Sequence, residues 1–223
     1  MKRWLAARDE GGLLRHGALL VAGTFVGALC NAGFHMAVGR TLPNAEYGTL
    51  VAMLGIILAA STPLLALQNT LAHYASALAQ AGRREEIRPM FMHWVRIFLA
   101  LSAAIAGGAF LLRGPLAAFW RVDAALVVLT FSVLAARLWL SLFYGLLQGL
   151  QSFVWLAWAP QAWGATRLAL GAAFTILLSA TAFAAVVAQG LGVLAVLVLC
   201  LVAVARLRLP AGTRAAQPHG TYR

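Results

Sequence analysis

Long apolar runs, each long enough to cross a membrane as a helix, constrain this chain more than any other feature of its sequence. A spanning helix needs ~20 apolar residues. In lipid every backbone polar group must find a partner inside the protein, which only helices and closed barrels achieve. The runs lack the alternation of barrel strands, so we expect an all-α integral membrane protein. The predicted spans are 17–38, 47–71, 91–112, 124–147, 153–179 and 181–207.

The remaining sequence leaves little material for a water-soluble domain. Hydrophobic residues make up 62% of the chain and charged residues 10%, a balance that does not suit a surface facing water. We therefore expect one transmembrane domain, 17–207, preceded by a cytoplasmic segment, 1–16. The segment 208–223 contains several Pro and Gly residues, and we expect it to be a disordered cytoplasmic tail.

The formal net charge of +11 is placed in a way that indicates membrane topology rather than binding to nucleic acid. Eleven Lys and Arg residues precede the first span, join the second to the third, or lie at the end of the sixth and beyond it. The loops predicted on the other side contain three, Arg40, Arg113 and Arg121. By the positive-inside rule we expect both termini in the cytoplasm.

Local signals predict where individual helices begin, bend and pack. Asn44 is the predicted N-cap of the second span, whose helix-compatible sequence continues to Ala79. Pro63 and Pro160 lie inside spans, where each removes a hydrogen-bond donor and predicts a kink. A GxxxG element that begins at Gly23 predicts close helix packing.

Two arginines lie deep inside predicted spans, Arg137 in the fourth and Arg167 in the fifth. A charge at that depth costs about 2.5 to 3.5 kcal/mol on insertion scales, so each side chain should face protein or water. No carboxylate lies inside a span, and arginine binds phosphate through paired hydrogen bonds. We predict that both arginines hold an anionic headgroup in a cavity. The alternative is that they hydrogen-bond carbonyls or neighbouring helices.

Other polar residues share helix faces within the spans and form a predicted secondary lining of the same cavity. On the fourth span, Ser141, Tyr144 and Gln148 follow Arg137 at helical spacing. Hydrogen bonds between helices are the alternative interpretation of such residues. The predicted lining residues are Asn31, His35, Gln68, Asn69, His73, Ser141, Tyr144 and Gln148.

Metal, cofactor and catalytic chemistry have no support in the sequence. Cys30 and Cys200 lie in separate apolar runs, without a spacing that suits metal ligands. The histidines have no metal-ligand or triad spacing with an acidic residue. We expect a protein that is not an enzyme, with no cofactor and no metal site.

Several segments, in order along the chain, resemble a known transporter family. They read NAGFHMAVGRTLPNAEYGTL from Asn31, then LLALQNTLAHYAS, GRREEIRPMF and GLLQGLQSF. This order is similar to the amino-terminal half of bacterial polysaccharide flippases. These include the O-antigen and lipid-linked oligosaccharide flippases of the multidrug/oligosaccharidyl-lipid/polysaccharide exporter superfamily.

The resemblance implies a multi-pass protein of the bacterial inner membrane that acts in polysaccharide or lipopolysaccharide biosynthesis. Such a flippase moves an undecaprenyl-pyrophosphate-linked saccharide outward by alternating access, and cavity arginines are thought to hold the pyrophosphate. The resemblance implies the same role for Arg137 and Arg167, because they lie at a comparable depth in the membrane. Family members have two six-helix lobes and this chain has one. The implied partners are the lipid-linked saccharide, membrane lipids and a second lobe, either another copy or a separate chain.

Two other functions fit the same residues. A non-transporting membrane subunit that scaffolds polysaccharide biosynthesis would account for the single lobe and the basic loop around Arg83. The second alternative function is that of a small-molecule exporter of the same superfamily, although the absence of an intramembrane carboxylate disfavours it. A truncated product that no longer transports also fits.

Overall fold

The computed structural model describes residues 2–177 and 180–207, and every regular element in those ranges is a helix. A short 3₁₀ turn, Arg84–Glu86, precedes α4. The helices are α1 Lys2–Thr41, α2 Asn44–Ala59, α3 Ser61–Gln80, α4 Ile87–Leu111, α5 Arg113–Trp120, α6 Ala124–Gly149, α7 Phe153–Leu177 and α8 Ala182–Arg206. The all-helical fold predicted from the apolar runs is confirmed for the described residues.

Among the described residues, five segments are long and apolar enough to cross a membrane, which is compatible with a multi-pass membrane protein. They are Val21–Thr41, Asn44–Gln80, Arg84–Leu111, Ala124–Gly149 and Ala182–Arg206. The predicted fifth span, 153–179, corresponds to α7, which is absent from this set because Pro160, Gln161 and Arg167 reduce its hydropathy. The count of six spans therefore stays a prediction.

Some predicted boundaries lie elsewhere or outside the described residues. The helix α1 begins at Lys2, within the segment 1–16 that we expected to precede the first span. Residues 178 and 179 of the predicted fifth span are not among those the structure describes. The same holds for the predicted disordered tail, 208–223.

The second predicted span is two helices rather than one. Its helical hydrogen bonding is interrupted at Ala60, so α2 ends at Ala59 and α3 begins at Ser61. Pro63 explains the position of the break: it has no N–H to donate to Ala59, and its missing donor costs least in the first turn of a helix. In contrast, α7 runs without interruption through Pro160.

The predicted capping role of Asn44 is wrong. Asn44 is the first residue of α2, Pro43 occupies the N-cap position, and no side chain caps this end. Because Asn44 already lies inside the helix, its side chain is not at the position from which it could accept from the amides of the first turn. The acidic residue in the first turn, Glu46, instead accepts a hydrogen bond from the amide of Ala182 on α8 at 2.7 Å.

The helices pack in sequence across the bundle, with α6 at its centre. Helix α1 packs along α7, α7 along α8, and α8 along α6, while α3, α4 and α5 cover other sides of α6. The core between them is apolar and includes Ile57, Phe98, Leu142 and Val193, all essentially inaccessible. These contacts bring the arginine of α7 next to both α1 and α8.

Glycines allow two of these helix pairs to approach closely. A Cβ atom at Gly23 of α1 would lie 2.5 Å from the carbonyl oxygen of Ala157 on α7. A Cβ atom at Gly145 of α6 would lie 2.7 Å from the carbonyl oxygen of Gln68 on α3. The packing role predicted for Gly23 is therefore confirmed.

The connections that lead into α2, α6 and α8 meet at one end of the bundle. A cleft of about 540 Å³ there is lined by residues near the starts of α2, α6 and α8, including Glu46, Asp123 and Thr181. Because α1 ends at this end and α8 begins there, the start of α1 and the end of α8 lie toward the opposite end.

Candidate functional site

Arg167 lies in the interface between α7 and α1 and is only 3% exposed. Its Nη1 donates to the Oδ1 atom of Asn31 at 2.8 Å, and its Nη2 lies 3.3 Å from Nε2 of His35. Asn31 and His35 are one helical turn apart on α1, so their side chains reach α7 together. Two of the predicted lining residues thus hold one of the predicted headgroup arginines.

Aromatic rings cover the faces of the Arg167 guanidinium. Its Cζ atom is 3.8 Å from the ring centroid of Phe34 and 5.1 Å from that of Trp163. The negative face of an aromatic ring attracts a cation, and more strongly where water is excluded. Phe34 fits here because Gly171 faces it, where a Cβ atom would be 2.5 Å from the ring.

Arg137 of α6 approaches the same indole. Its Cζ atom is 5.2 Å from the Trp163 ring centroid, close to the 5.1 Å distance of Arg167. Arg137 is half-buried and, among the described side chains, forms neither a hydrogen bond nor an ion pair. Two positive charges therefore lie near one ring, and no described carboxylate pairs with either of them.

Three buried polar atoms of α7 and α8 have no hydrogen-bond partner among the described residues: Trp163 Nε1, Arg167 Nε and Gln189 Oε1. Gln189 is 1% exposed and lies one turn before Gly192 on α8. At Gly192, a Cβ atom would be 3.0 Å from Trp163 and 3.6 Å from the Cβ of Arg167. Buried polar groups are nearly always paired in folded proteins, so these unpaired atoms suit contact with water or a ligand.

His35 extends the network to α2. Its Nδ1 atom lies 3.3 Å from the hydroxyl of Tyr47, and the two rings meet edge to face. The chain of polar contacts therefore runs from Arg167 through His35 to Tyr47. It joins α7, α1 and α2.

The other predicted lining residues form no described hydrogen bond to Arg137 or Arg167. Gln68 donates to Gln148 at 3.0 Å across the α3–α6 contact. Ser141 is buried and donates to the Leu138 carbonyl of its own helix at 2.7 Å. Tyr144 is half-buried against the core.

Asn69 and His73 are exposed on α3, where the ring of His73 contacts that of Tyr74. The cleft of about 540 Å³ contains none of the predicted site residues. Within the described part of the chain, no three His, Cys, Asp or Glu side chains are placed to hold a metal ion.

Sequence reasoning missed Phe34, Tyr47, Trp163 and Gln189. Trp163 precedes Arg167 by four residues, so helical spacing alone places both on one face. Gln189 is a lone amide within an apolar run, a signal of the same kind that selected the arginines. Phe34 and Tyr47 carry no such signal, because only the contacts of α1 with α7 and α2 bring them to the site.

Comparison of the chain with protein-family models, with curated proteins and with solved structures gives no match.

Proposed function

We propose that this chain is one lobe of a flippase that moves an anionic, polyprenyl-pyrophosphate-linked saccharide across the bacterial inner membrane. In this proposal six helices cross the membrane and both termini lie in the cytoplasm. Arg137 and Arg167 bind the headgroup, and a second lobe completes the transport cavity.

One observation carries the proposal: Arg137 and Arg167 flank Trp163 without a carboxylate among the described side chains. Arg137 is 13 residues from the first residue of α6 and 12 from the last, so it lies far from either helix end. A positive charge at that depth is costly, and two adjacent ones are more so. An anion would offset both charges, and a pyrophosphate has enough oxygens to accept from two guanidinium groups.

The outward-facing polar residues support a second lobe. Asn31 is exposed on α1 although Arg167 donates to it, and His35 is half-exposed one turn away. Amide and imidazole groups at membrane depth are rarely presented to lipid, and usually face protein or a water-filled cavity. This face of α1 is therefore the surface that we assign to the inter-lobe cavity.

Headgroup binding tests the arginines directly. In nanodiscs that contain undecaprenyl pyrophosphate, we expect Arg137→Ala and Arg167→Ala each to weaken binding about tenfold to a hundredfold, since a hydrogen bond to a charged group contributes about 1.5 to 3 kcal/mol. The control is Arg113→Ala, because Arg113 is exposed and stacks on Phe110 of the preceding helix. Translocation of lipid-linked glycan should be lost in the first two variants with membrane insertion intact.

Wild-type binding and transport in both alanine variants would contradict the proposal. The second lobe is tested separately by measuring the mass of the complex in nanodiscs. Two copies, or one copy with another six-helix chain, are expected. A monomer that transports alone would overturn the half-transporter.

A further inference from the structure

The contacts of His35 determine which of its ring nitrogens carries hydrogen. A guanidinium has five N–H donors and no acceptor, so His35 Nε2, 3.3 Å from Arg167 Nη2, must be the acceptor. A neutral imidazole then has its hydrogen on Nδ1. That hydrogen points to the Tyr47 hydroxyl, 3.3 Å away, which accepts it. His35 is therefore neutral in this arrangement.

Protonation of His35 would remove its bond to Arg167. A protonated imidazole has no lone pair left, so Nε2 would become a donor facing another donor. Two positive charges would also lie 3.3 Å apart, measured between Nη2 and Nε2. With no anion present, both effects hold His35 in its neutral form.

No described acidic group near His35 stabilises the protonated form. Helices α7 and α2 pack against α1, and the titratable groups that they direct to His35 are Arg167 and Tyr47. Glu46 lies next to Tyr47 in sequence, but its carboxylate accepts from the Ala182 amide. Arg137 adds a second positive charge beyond Trp163.

An anion beside Arg167 would reverse this balance. It would offset the charge of the two arginines and so reduce the repulsion that a protonated His35 experiences. Arg167 Nη2, released from His35, would donate to the anion, and protonated Nε2 could donate to it as well. His35 is half-exposed on α1, so a proton can reach it from outside the bundle.

We propose that His35 takes up a proton when an anion binds at Arg167, so that the site binds an anion and a proton together. This inference rests on the proposed function and adds to it that a proton binds together with the anion. Because linkage is reciprocal, a lower pH must then tighten anion binding. With one proton taken up, the dissociation constant changes by about tenfold per pH unit in the range where His35 titrates.

Sulfate is a suitable probe, because it keeps its charge over this pH range while phosphates titrate. We would measure sulfate binding to the full chain in nanodiscs between about pH 5.5 and about pH 8, the interval in which histidines titrate. We expect wild-type protein to bind more tightly at the lower pH. His35→Gln should bind with little pH dependence, since Gln keeps a polar side chain that does not titrate.

The matched control is His93→Gln, because His93 is exposed on α4 and has no described contact with Arg137 or Arg167. It should keep the wild-type pH dependence. If His35→Gln keeps it too, or if wild-type binding does not depend on pH, the proton coupling is wrong although the arginine site stands. If sulfate binding survives Arg137→Ala and Arg167→Ala unchanged, the proposed function itself fails.

Proton uptake provides a test that needs no His35 variant. When sulfate is added to wild-type protein in weak buffer near the titration range, the protein should take up protons, up to about one per site. The pH of the solution should therefore rise. Arg167→Ala should abolish the uptake. Sulfate binding by wild-type protein without proton uptake at any pH in the range would overturn the inference.

Discussion

The α1–α7 and α3–α6 interfaces are packed in the same way but contain different chemistry. In both, a glycine lets one helix approach a backbone carbonyl of the other, Gly23 at Ala157 and Gly145 at Gln68. The first interface buries Arg167 with its hydrogen bonds to α1. The second has an apolar centre, and its polar contact, Gln68 with Gln148, lies at the exposed side.

This difference separates packing from function. The α3–α6 contact shows that small residues and apolar side chains are enough to bring two helices of this chain together. Since close packing does not require an arginine, the buried charge in the α1–α7 contact is a cost that packing does not explain. A bound anion would account for that cost.

The largest expected loss of stability comes from replacing the interface glycines, and it should be equal in the two interfaces. Gly23→Val and Gly145→Val would each place a side chain against backbone, which cannot move aside as a flexible side chain can. We expect each to lower the free energy of unfolding by about 3 kcal/mol or more in mixed detergent micelles.

Gly107→Val is the matched control, because a Cβ atom at Gly107 would meet nothing within 4 Å. Its unfolding should change far less. If only one of the two interface variants lost stability, the claim that both helix pairs pack alike would be wrong.

Replacing the buried arginine should distinguish the interfaces. In Arg167→Met an apolar side chain of similar length would replace a charge whose described partners are neutral. Removing a buried charge that has no charged partner relieves its desolvation cost and leaves no opposite charge unpaired. We therefore expect stability to be kept or increased in Arg167→Met while anion binding is lost.

Leu168→Met controls for a new methionine in α7 and should cost less than about 1.5 kcal/mol. A loss of about 3 to 5 kcal/mol in Arg167→Met, the size seen when one partner of a buried ion pair is removed, would make Arg167 a structural residue. The comparison with α3–α6 would then no longer point to a ligand.

Helix positions were predictable from the sequence because apolar runs report helices directly in a chain of this composition. The fine structure was less so: the apolar run 47–71 continues across Ala60, and only the missing donor of Pro63 marks the break. Asn44 does not act as the predicted cap, because α2 begins one residue earlier than expected and Asn44 lies inside it.

The site was predictable in part, for a related reason. A charge inside an apolar run stands out, so Arg137 and Arg167 could be selected from sequence alone. Their surroundings depend on which helices meet. Helical spacing places Asn31 and His35 on one face of α1, but contact with α7 decides that Arg167 is their partner. The same spacing on α3 leaves Asn69 and His73 exposed.

The smallest expected effect concerns the amide pair of the α3–α6 interface. Gln68→Leu removes the 3.0 Å hydrogen bond to Gln148, and such bonds between membrane helices average about 0.6 kcal/mol. We expect a loss of that size and unchanged anion binding. The neighbouring variant Asn69→Leu should leave stability unchanged, since Asn69 is exposed and has no hydrogen bond among the described residues. If Gln68→Leu abolished anion binding while stability fell only slightly, the α3–α6 interface would be part of the ligand site, because a merely structural bond of that strength cannot account for such a loss.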